Sequence, residues 1–457
     1  MNFRPVRLFL LITWEYLKRN VTLVIGSVLI IILLVIFQTK LKFFQSSDTI
    51  RVGLIGTYQE HDLPIEVTKL LSSGLIEASS DGKIKPNLVK GWETNNDATQ
   101  FKFKLKDLSW ADEETVKASD LEFTIPNTNV SFPDDKTIQF DLQESFSPLP
   151  SLLTGPVFKK GTLTGVGPYK IKSIEKSRIF ITKLILESKD NKFPNIAIRF
   201  YPNEKIAVTG FNLGEVQVLM GLSNPKLISS NSLISMRQTT DYSKIVTILF
   251  QTTDPLLSNR SIRQSLAFKT PKIEGEEVAN NPYPPQSWAY DSDSKKYLSN
   301  PEEALAALER AKASLPSDKF NSELILTATP NLEEVGKVVA ESWKELGFDS
   351  KLRVESGIPQ NFQTLLITQS IPVDPDQYFL WHATQTKTNL TKYNSKRVDK
   401  DLEDGRKIIT EDERQANYFD FQKTLLEDAP AVFLYFPKYN IVYLKKVEPL
   451  LDKVLSP

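Results

Sequence analysis

The longest unbroken apolar stretch lies near the start of the chain. Residues 20–39 carry no charge, and their centre, 21–37 (VTLVIGSVLIIILLVIF), is almost wholly aliphatic. At about 1.5 Å per residue such a segment crosses the roughly 30 Å hydrocarbon core of a bilayer, which predicts a transmembrane helix over 21–39. Beyond it the pattern shortens. Residues 50–55 (IRVGLI) read as a buried strand ending at Gly56, and 67–78 (VTKLLSSGLIEA) space their apolar positions for a helix. Asp81-Gly82 supplies a turn. Strict alternation in 100–105 (QFKFKL) and 137–142 (TIQFDL) predicts strands and makes 80–155 a small β-rich unit.

Further strands are predicted over 169–174, 178–186, 197–201 and 216–220. Residues 301–314 (PEEALAALERAKAS) form a helix, with Pro301 in its first turn and Glu302 and Glu303 near the positive end of its dipole. Residues 324–329, 333–346 and 350–354 follow as strand, helix and strand, a βαβ unit that requires a parallel sheet covered by helices. Helices over 402–409 and 411–426 and a strand over 432–436 complete the pattern, with no internal repeat.

Length and charge narrow this picture. A chain of 457 residues exceeds one hydrophobic core and predicts two or three lobes. Arg4, Arg7, Lys18 and Arg19 against Glu15 give the segment before the apolar run a charge of +3, which places it in the cytoplasm and the remainder outside the membrane. Phe37-Gln38-Thr39-Lys40 offers no small-residue cleavage site, so the segment reads as an uncleaved signal anchor with a tether over 40–47. A lipid anchor would need a cysteine, and the chain has none. Without residues 1–47 the balance is 50 basic against 55 acidic side chains, a mildly acidic surface that does not suit nucleic acid. The absence of cysteine and the presence of only two histidines, His61 and His382, argue against thiolate, zinc and serine-hydrolase chemistry.

The order of local signatures resembles bacterial extracellular solute-binding proteins of the family that includes oligopeptide-, dipeptide- and nickel-binding receptors. The first block runs from Leu75 through Asp81-Gly82-Lys83 and Pro86 to Trp92, and leads into Phe101 to Asp107. Trp110, Asp112 and Ala118-Ser119-Asp120 continue it. Gly165-Val-Gly-Pro-Tyr169 is similar to the family's GTGPY turn, and Gly214-Glu-Val-Gln217 to its GEVD. Residues 248–263 resemble the crossing strand and the helix start after it. Asp374-Pro-Asp-Gln-Tyr378, 389–393 and 429–437 (APAVFLYFP) match the family's DP loop, asparagine segment and returning hinge strand. Two segments, after Ile125 and after Phe268, are shorter than the family's. Where peptide receptors of the family carry an amine-binding aspartate this chain reads Gln369-Ser-Ile-Pro372.

The resemblance implies an α/β, two-lobed periplasmic-binding-protein-like fold with an inserted β-rich subdomain, preceded here by one transmembrane helix. Residues 48–78, 160–250 and 431–457 would make the first lobe, 79–159 the insertion and 251–430 the second lobe. It implies a monomeric receptor, without cofactor or catalysis, at the cell membrane with its large C-terminal portion outside. That receptor would capture a peptide or similar small polar solute for an ABC transporter permease. The alternative is a tethered structural or chaperone-like protein that keeps the fold without transport.

The candidate ligand-binding residues are Tyr58, Gln59, Glu60, Trp288, Gln369, Asp374, Gln377, Trp381 and Asn389. Tyr58, Gln59 and Glu60 follow the first strand, where open sheets place ligands, or form an exposed loop. Trp288 and Trp381, with Tyr378, can sandwich a ligand or pack in a core. Asp374 and Asp376 can meet a cationic group or a hard metal, or hold a turn before proline. Asn389 can bond a ligand backbone or cap a turn. His61 and His382 are expected at the surface or cleft edge.

Overall fold

The computed structural model describes residues 49–455 apart from 80, 191, 229–230, 298, 317–319 and 321–322. The transmembrane segment and tether expected over 21–47 lie outside the described residues. Among the described residues no helix is long and apolar enough to cross a membrane.

The chain enters at β1 (Thr49–Ile55), continues into α1 (Ile65–Leu71) and then leaves the first lobe. The helix expected over 67–78 stops at Ser72. Ser72 turns extended and gives its hydroxyl to the Val157 carbonyl, and Ile76–Ala78 becomes β2, paired with β3 (Ile84–Pro86). The inserted subdomain is built on β4 (Val89–Thr94), β5 (Gln100–Leu105), β6 (Thr128–Asp134) and β7 (Thr137–Leu142). These form an antiparallel sheet in the order β4-β5-β7-β6. The alternation in QFKFKL buries Phe101, Phe103 and Leu105 in a core of its own with Trp110, Ile138 and Phe140.

A short helix, α2 (Leu149–Leu152), leads back to the first lobe through the GVGPY turn. That turn needs glycine: a Cβ on Gly165 would lie 2.1 Å from the Leu71 carbonyl oxygen, and one on Gly167 2.6 Å from the Leu71 carbonyl carbon. The lobe resumes with β8 (Tyr169–Ser177), β9 (Phe180–Ser188), β10 (Asn195–Tyr201), α3 (Glu204–Asn212), β11 (Val218–Met220) and β12 (Ile234–Thr240).

The second lobe follows without interruption. It comprises β13 (Lys244–Phe250), α4 (Arg260–Lys269), β14 (Glu277–Val278), α5 (Pro301–Lys312), β15 (Glu323–Ala328) and α6 (Glu333–Lys344). Then come β16 (Asp349–Val354), β17 (Thr364–Ser370), α7 (Tyr378–Trp381), α8 (Lys396–Lys407), α9 (Glu411–Asp428) and β18 (Ala431–Phe436). The helix expected over 402–409 thus begins six residues earlier, at Lys396, and ends at Lys407. The last strand, β19 (Lys438–Leu444), and α10 (Glu448–Leu455) return to the first lobe.

Two sheets result. The first runs β12-β19-β11-β1-β10-β9-β8, and the second β14-β18-β13-β17-β15-β16. The expected βαβ unit is present, β15 pairing parallel with β16. Sheet membership differs from the expected lobe boundaries at 250 and 430. Residues 244–250 and 431–436 pair with each other within the second sheet, and both faces of that sheet are covered. Val246, Ile248 and Phe250 enter one core, and Ile245 and Leu249 the other. A strand buried on both faces reads as a continuous apolar run, and this is why IVTILF and AVFLYF show no alternation.

Among the described residues two short segments join the lobes: 241–243, and Pro437. They lie side by side, the Asp241 amide donating to the Pro437 carbonyl at 2.8 Å. Glu277 of the second lobe accepts from Thr240 at 2.9 Å and from Tyr242 at 2.7 Å, so one carboxylate ties the end of β12 and the 241–243 segment to the second lobe.

One helix contact carries a charge cost. The Asp401 carboxyl on α8 has a buried oxygen without a hydrogen-bond partner, and burial, reinforced by Asp420, pushes its pKa up to about 6. An unfolded aspartate titrates near ~3.9, so the folded protein holds this proton more tightly. Its contribution is full below about pH 4 and is lost as pH rises through about 6. Asp401→Asn should therefore raise the thermal midpoint at pH 7 and leave it unchanged at pH 4 in paired melts of full-length protein.

Candidate functional site

In each sheet one strand lies between two parallel neighbours. β1 is flanked by β10 and β11, and β15 by β16 and β17. Chain connections diverge at such a strand and leave a crevice beyond its carboxyl end, where open sheets bind ligands. In the first lobe that end carries Gly56, Tyr58, Gln59 and Glu60, with Gly221 after β11. In the second it carries the segment after β17. Hydrogen bonds bring both ends to the joint between lobes. The Gly221 amide donates to the Asn440 carbonyl at 3.0 Å, and the Ile371 amide to the Ser243 carbonyl at 2.8 Å.

The candidate residues fall into three groups. Tyr58, Gln59 and Glu60 follow the carboxyl end of β1 and turn towards β9, the Ile181 amide donating to the Tyr58 carbonyl at 2.8 Å. Tyr58 is half-buried, its hydroxyl donating to the Ile55 carbonyl at 3.0 Å and its ring edge-on to Phe200. Burial, with Glu66 and Asp62 nearby, raises its phenol pKa above the ordinary value. Gln59 opens the turn that follows, and Glu60 pairs with Lys176 at 2.8 Å on the surface. Gln369 lies near the end of β17, opposite Ile245 of β13.

The second group is spent inside the second lobe. Trp381 is 1% exposed, its indole N–H donates to Gln377 at 2.7 Å, and its ring packs edge-on to Phe433. Gln377 donates in turn to the Pro282 carbonyl at 3.0 Å. Asn389 donates to the carbonyls of Trp381 and Tyr393 and accepts from Thr391 and the Tyr393 amide. These three are brought together, but as a buried brace for the loop between α7 and α8.

Asp374 and Trp288 form the third group. Arg414 grips Asp374 through two bonds, at 2.9 and 2.5 Å, and lies 5.5 Å from the Trp288 ring centroid. The Trp288 amide donates to the Asp81 carbonyl at 3.0 Å, so this tryptophan meets the inserted subdomain. Asp376, two residues on, accepts from Arg406 at 2.8 and 2.9 Å. Burial raises its pKa against the pull of that guanidinium. Both DP-loop carboxylates are therefore bound by arginines of their own lobe.

Arg406 also lies over the Tyr378 ring at 3.7 Å, while His382 stacks on that ring at 4.0 Å. Two groups this close to one centroid must take opposite faces, so Tyr378 is already sandwiched. Phe146 of the inserted subdomain stands 5.2 Å beyond Arg406, and the Ser147 amide donates to the Arg406 carbonyl at 2.7 Å. His382, expected at the surface or cleft edge, is 3% exposed and bonded to Thr384 and Glu403, whereas His61 is exposed.

Sequence reasoning did not single out Arg406, Arg414, Phe146, Glu66 or Tyr439. The arginines are two among 56 basic residues, on helices whose charge pattern reads as solvated. Tyr439 stands one residue past the first of the joint strand β19, and burial, with Glu66 nearby, pushes its phenol well above the ordinary value. Among the described residues no group of three or more acidic or histidine side chains is placed to hold a metal ion.

Comparison with known proteins agrees with this architecture. Residues 83–390 match the family described as bacterial extracellular solute-binding proteins, family 5 Middle. The oligopeptide-binding protein AppA of Bacillus subtilis is 23% identical over 329 residues, 64% of this chain, and the match spans only 60% of AppA. The probable D,D-dipeptide-binding periplasmic protein DdpA of Escherichia coli is 20% identical over 450 residues, covering 84% of this chain and 87% of DdpA. Among solved structures, NikZ of Campylobacter jejuni in complex with Ni(L-His) superposes with a TM-score of 0.70 at 20% identity, covering 87% of this chain and 94% of NikZ. CtaP of Listeria monocytogenes, an ABC transporter substrate-binding protein, gives 0.71 at 16% identity with the same coverage.

Removing one partner of a buried ion pair strands the other, at a cost of about 3–5 kcal/mol. Asp374→Ala should lower the unfolding free energy by that amount in urea titrations. A loss below about 1 kcal/mol would show that Arg414 has no need of this carboxylate.

Proposed function

This chain belongs to the bacterial extracellular solute-binding proteins of family 5, and we propose that it is a membrane-anchored receptor for peptides or similar small polar solutes. In this reading it works outside the membrane, held by the apolar run over 21–37, and passes its cargo to the permease of an ABC importer. The observation that carries the reading is the joint. Among the described residues two short segments join the lobes, and the carboxyl ends of the parallel strands of both sheets lie beside them. A solute that touches both lobes then favours the closed arrangement by its differential affinity, and no covalent step is needed.

In this reading Tyr58, Gln59, Glu60 and Gln369 face the solute. Gln377, Trp381 and Asn389 support the site from within the lobe. The two glutamines suit recognition of a peptide backbone, since each can donate and accept. Gln369 occupies the stretch where peptide receptors that this chain resembles carry a carboxylate, so the cargo is bound without a fixed negative charge at that place.

Native mass spectrometry of the full chain in detergent, with a pool of synthetic tri- to pentapeptides, tests this. One peptide per chain is expected. Gln59→Ala combined with Gln369→Ala should lower occupancy about tenfold, at about 0.5–1 kcal/mol for each lost hydrogen bond. No complex with any peptide would reject the reading.

A further inference from the structure

A cavity of about 890 Å³ opens between the inserted subdomain and the second lobe. None of its lining residues belongs to the 56–60 segment or to the joint. One wall carries Leu142, Gln143 and Phe146, and the other Tyr378, Phe379 and Arg406. The size falls in the range of small-molecule sites, roughly 300–1,000 Å³. The charged side chains that line it cancel, Arg406 and Lys407 against Glu144 and Glu403. Arg406 is moreover held by Asp376, and Glu403 bonds His382. The lining as a whole therefore carries no net charge.

The lining also includes Thr128, the first residue of β6, which is an edge strand of its sheet. The Gln143 amide donates to the Asn127 carbonyl at 3.3 Å, and Asn129 pairs with Asp141. Antiparallel ladders alternate, so the backbone N–H and C=O of Thr128 point away from β7 and stay open for another strand. Beside this edge Phe379 is 40% exposed. An open backbone edge next to an apolar pocket is the arrangement by which sheets take up extended peptides.

We infer that this cavity is a second ligand site, which takes an uncharged, extended peptide segment bearing an aromatic or aliphatic side chain. The segment pairs with the edge at Thr128, its apolar side chain enters between Phe146 and Phe379, and the side-chain amide of Gln143 meets its backbone. Because the two walls belong to different bodies, an occupant bridges them and holds the insertion on the second lobe.

Photo-crosslinking of the full chain in detergent with N-acetyl-leucyl-(4-benzoylphenylalanine) amide, a neutral probe, tests this, with attachment sites read by mass spectrometry. Cross-links are expected within 125–146 and 378–407. Phe379→Ala and Gln143→Ala remove exposed side chains and should each lower the yield at least fivefold without changing the melting temperature. Cross-links at 56–60 or 369–373 would overturn the inference while leaving the crevice beside the joint as the ligand site. A yield indifferent to both substitutions, or no cross-link at all, would overturn it as well.

Discussion

Asp374 and Asp376, separated by Pro375 in the DP loop, each meet an arginine from the helical pair that follows: Arg414 from α9 and Arg406 from α8. The loop leaves β17 beside the joint between lobes, so whatever fixes it fixes one side of the crevice. Two carboxylates this close would repel each other if buried alone, and the paired guanidiniums offset both the repulsion and the desolvation. Arg406 extends the chain of contacts through Tyr378 on one side and Phe146 on the other, so the same ion pair reaches the inserted subdomain. Bidentate and stacked contacts of this kind suit arginine and would be lost with lysine.

The joint has a different character. It is short, its two segments are hydrogen-bonded side by side, and Glu277 of the second lobe accepts from both Thr240 and Tyr242 at one of them. On either side of it the lobes are stiff, because their central strands are buried on both faces. A hinge of a few residues between rigid bodies is the arrangement in which small local dihedral changes move whole lobes. The inserted subdomain, with a core of its own, touches the second lobe through backbone bonds at Trp288 and Ser147, and through the surface pair Lys83–Glu411 at 2.5 Å. An exposed pair of that kind adds little, so the backbone bonds and the Phe146–Arg406 contact hold this interface.

Much of this was legible in the residues. Alternation marked β5 and β7, the 3.6-residue period with Pro301 and its acidic first turn marked α5, and the βαβ unit followed from spacing alone. The break of the first helix at Ser72 was not, because it depends on the close approach of the GVGPY turn to Leu71, almost a hundred residues away in sequence. The assignment of 244–250 and 431–436 escaped for a related reason, since an apolar run shows that a strand is buried but not in which sheet. At the candidate site, position in the chain showed only that Tyr58, Gln59 and Glu60 follow the first strand. It could not show that Trp381, Gln377 and Asn389 would bond to one another, nor that Asp374 and Asp376 would be claimed by Arg414 and Arg406. Those partners lie 30 and 40 residues away on amphipathic helices, and only the folded register brings them in.

In the proposed receptor the two lobes close on a solute about the joint at 241–243 and Pro437. The chain has no cysteine, so Leu213→Cys on the first lobe and Leu305→Cys on the second give two unique labelling sites, at side chains 74% and 52% exposed. Pulsed electron paramagnetic resonance distances between spin labels at these positions, with and without a saturating peptide identified by native mass spectrometry, report the lobe separation directly. A shift of the distance distribution to a second, ligand-dependent population is expected. A single distribution unchanged at saturation would contradict the account.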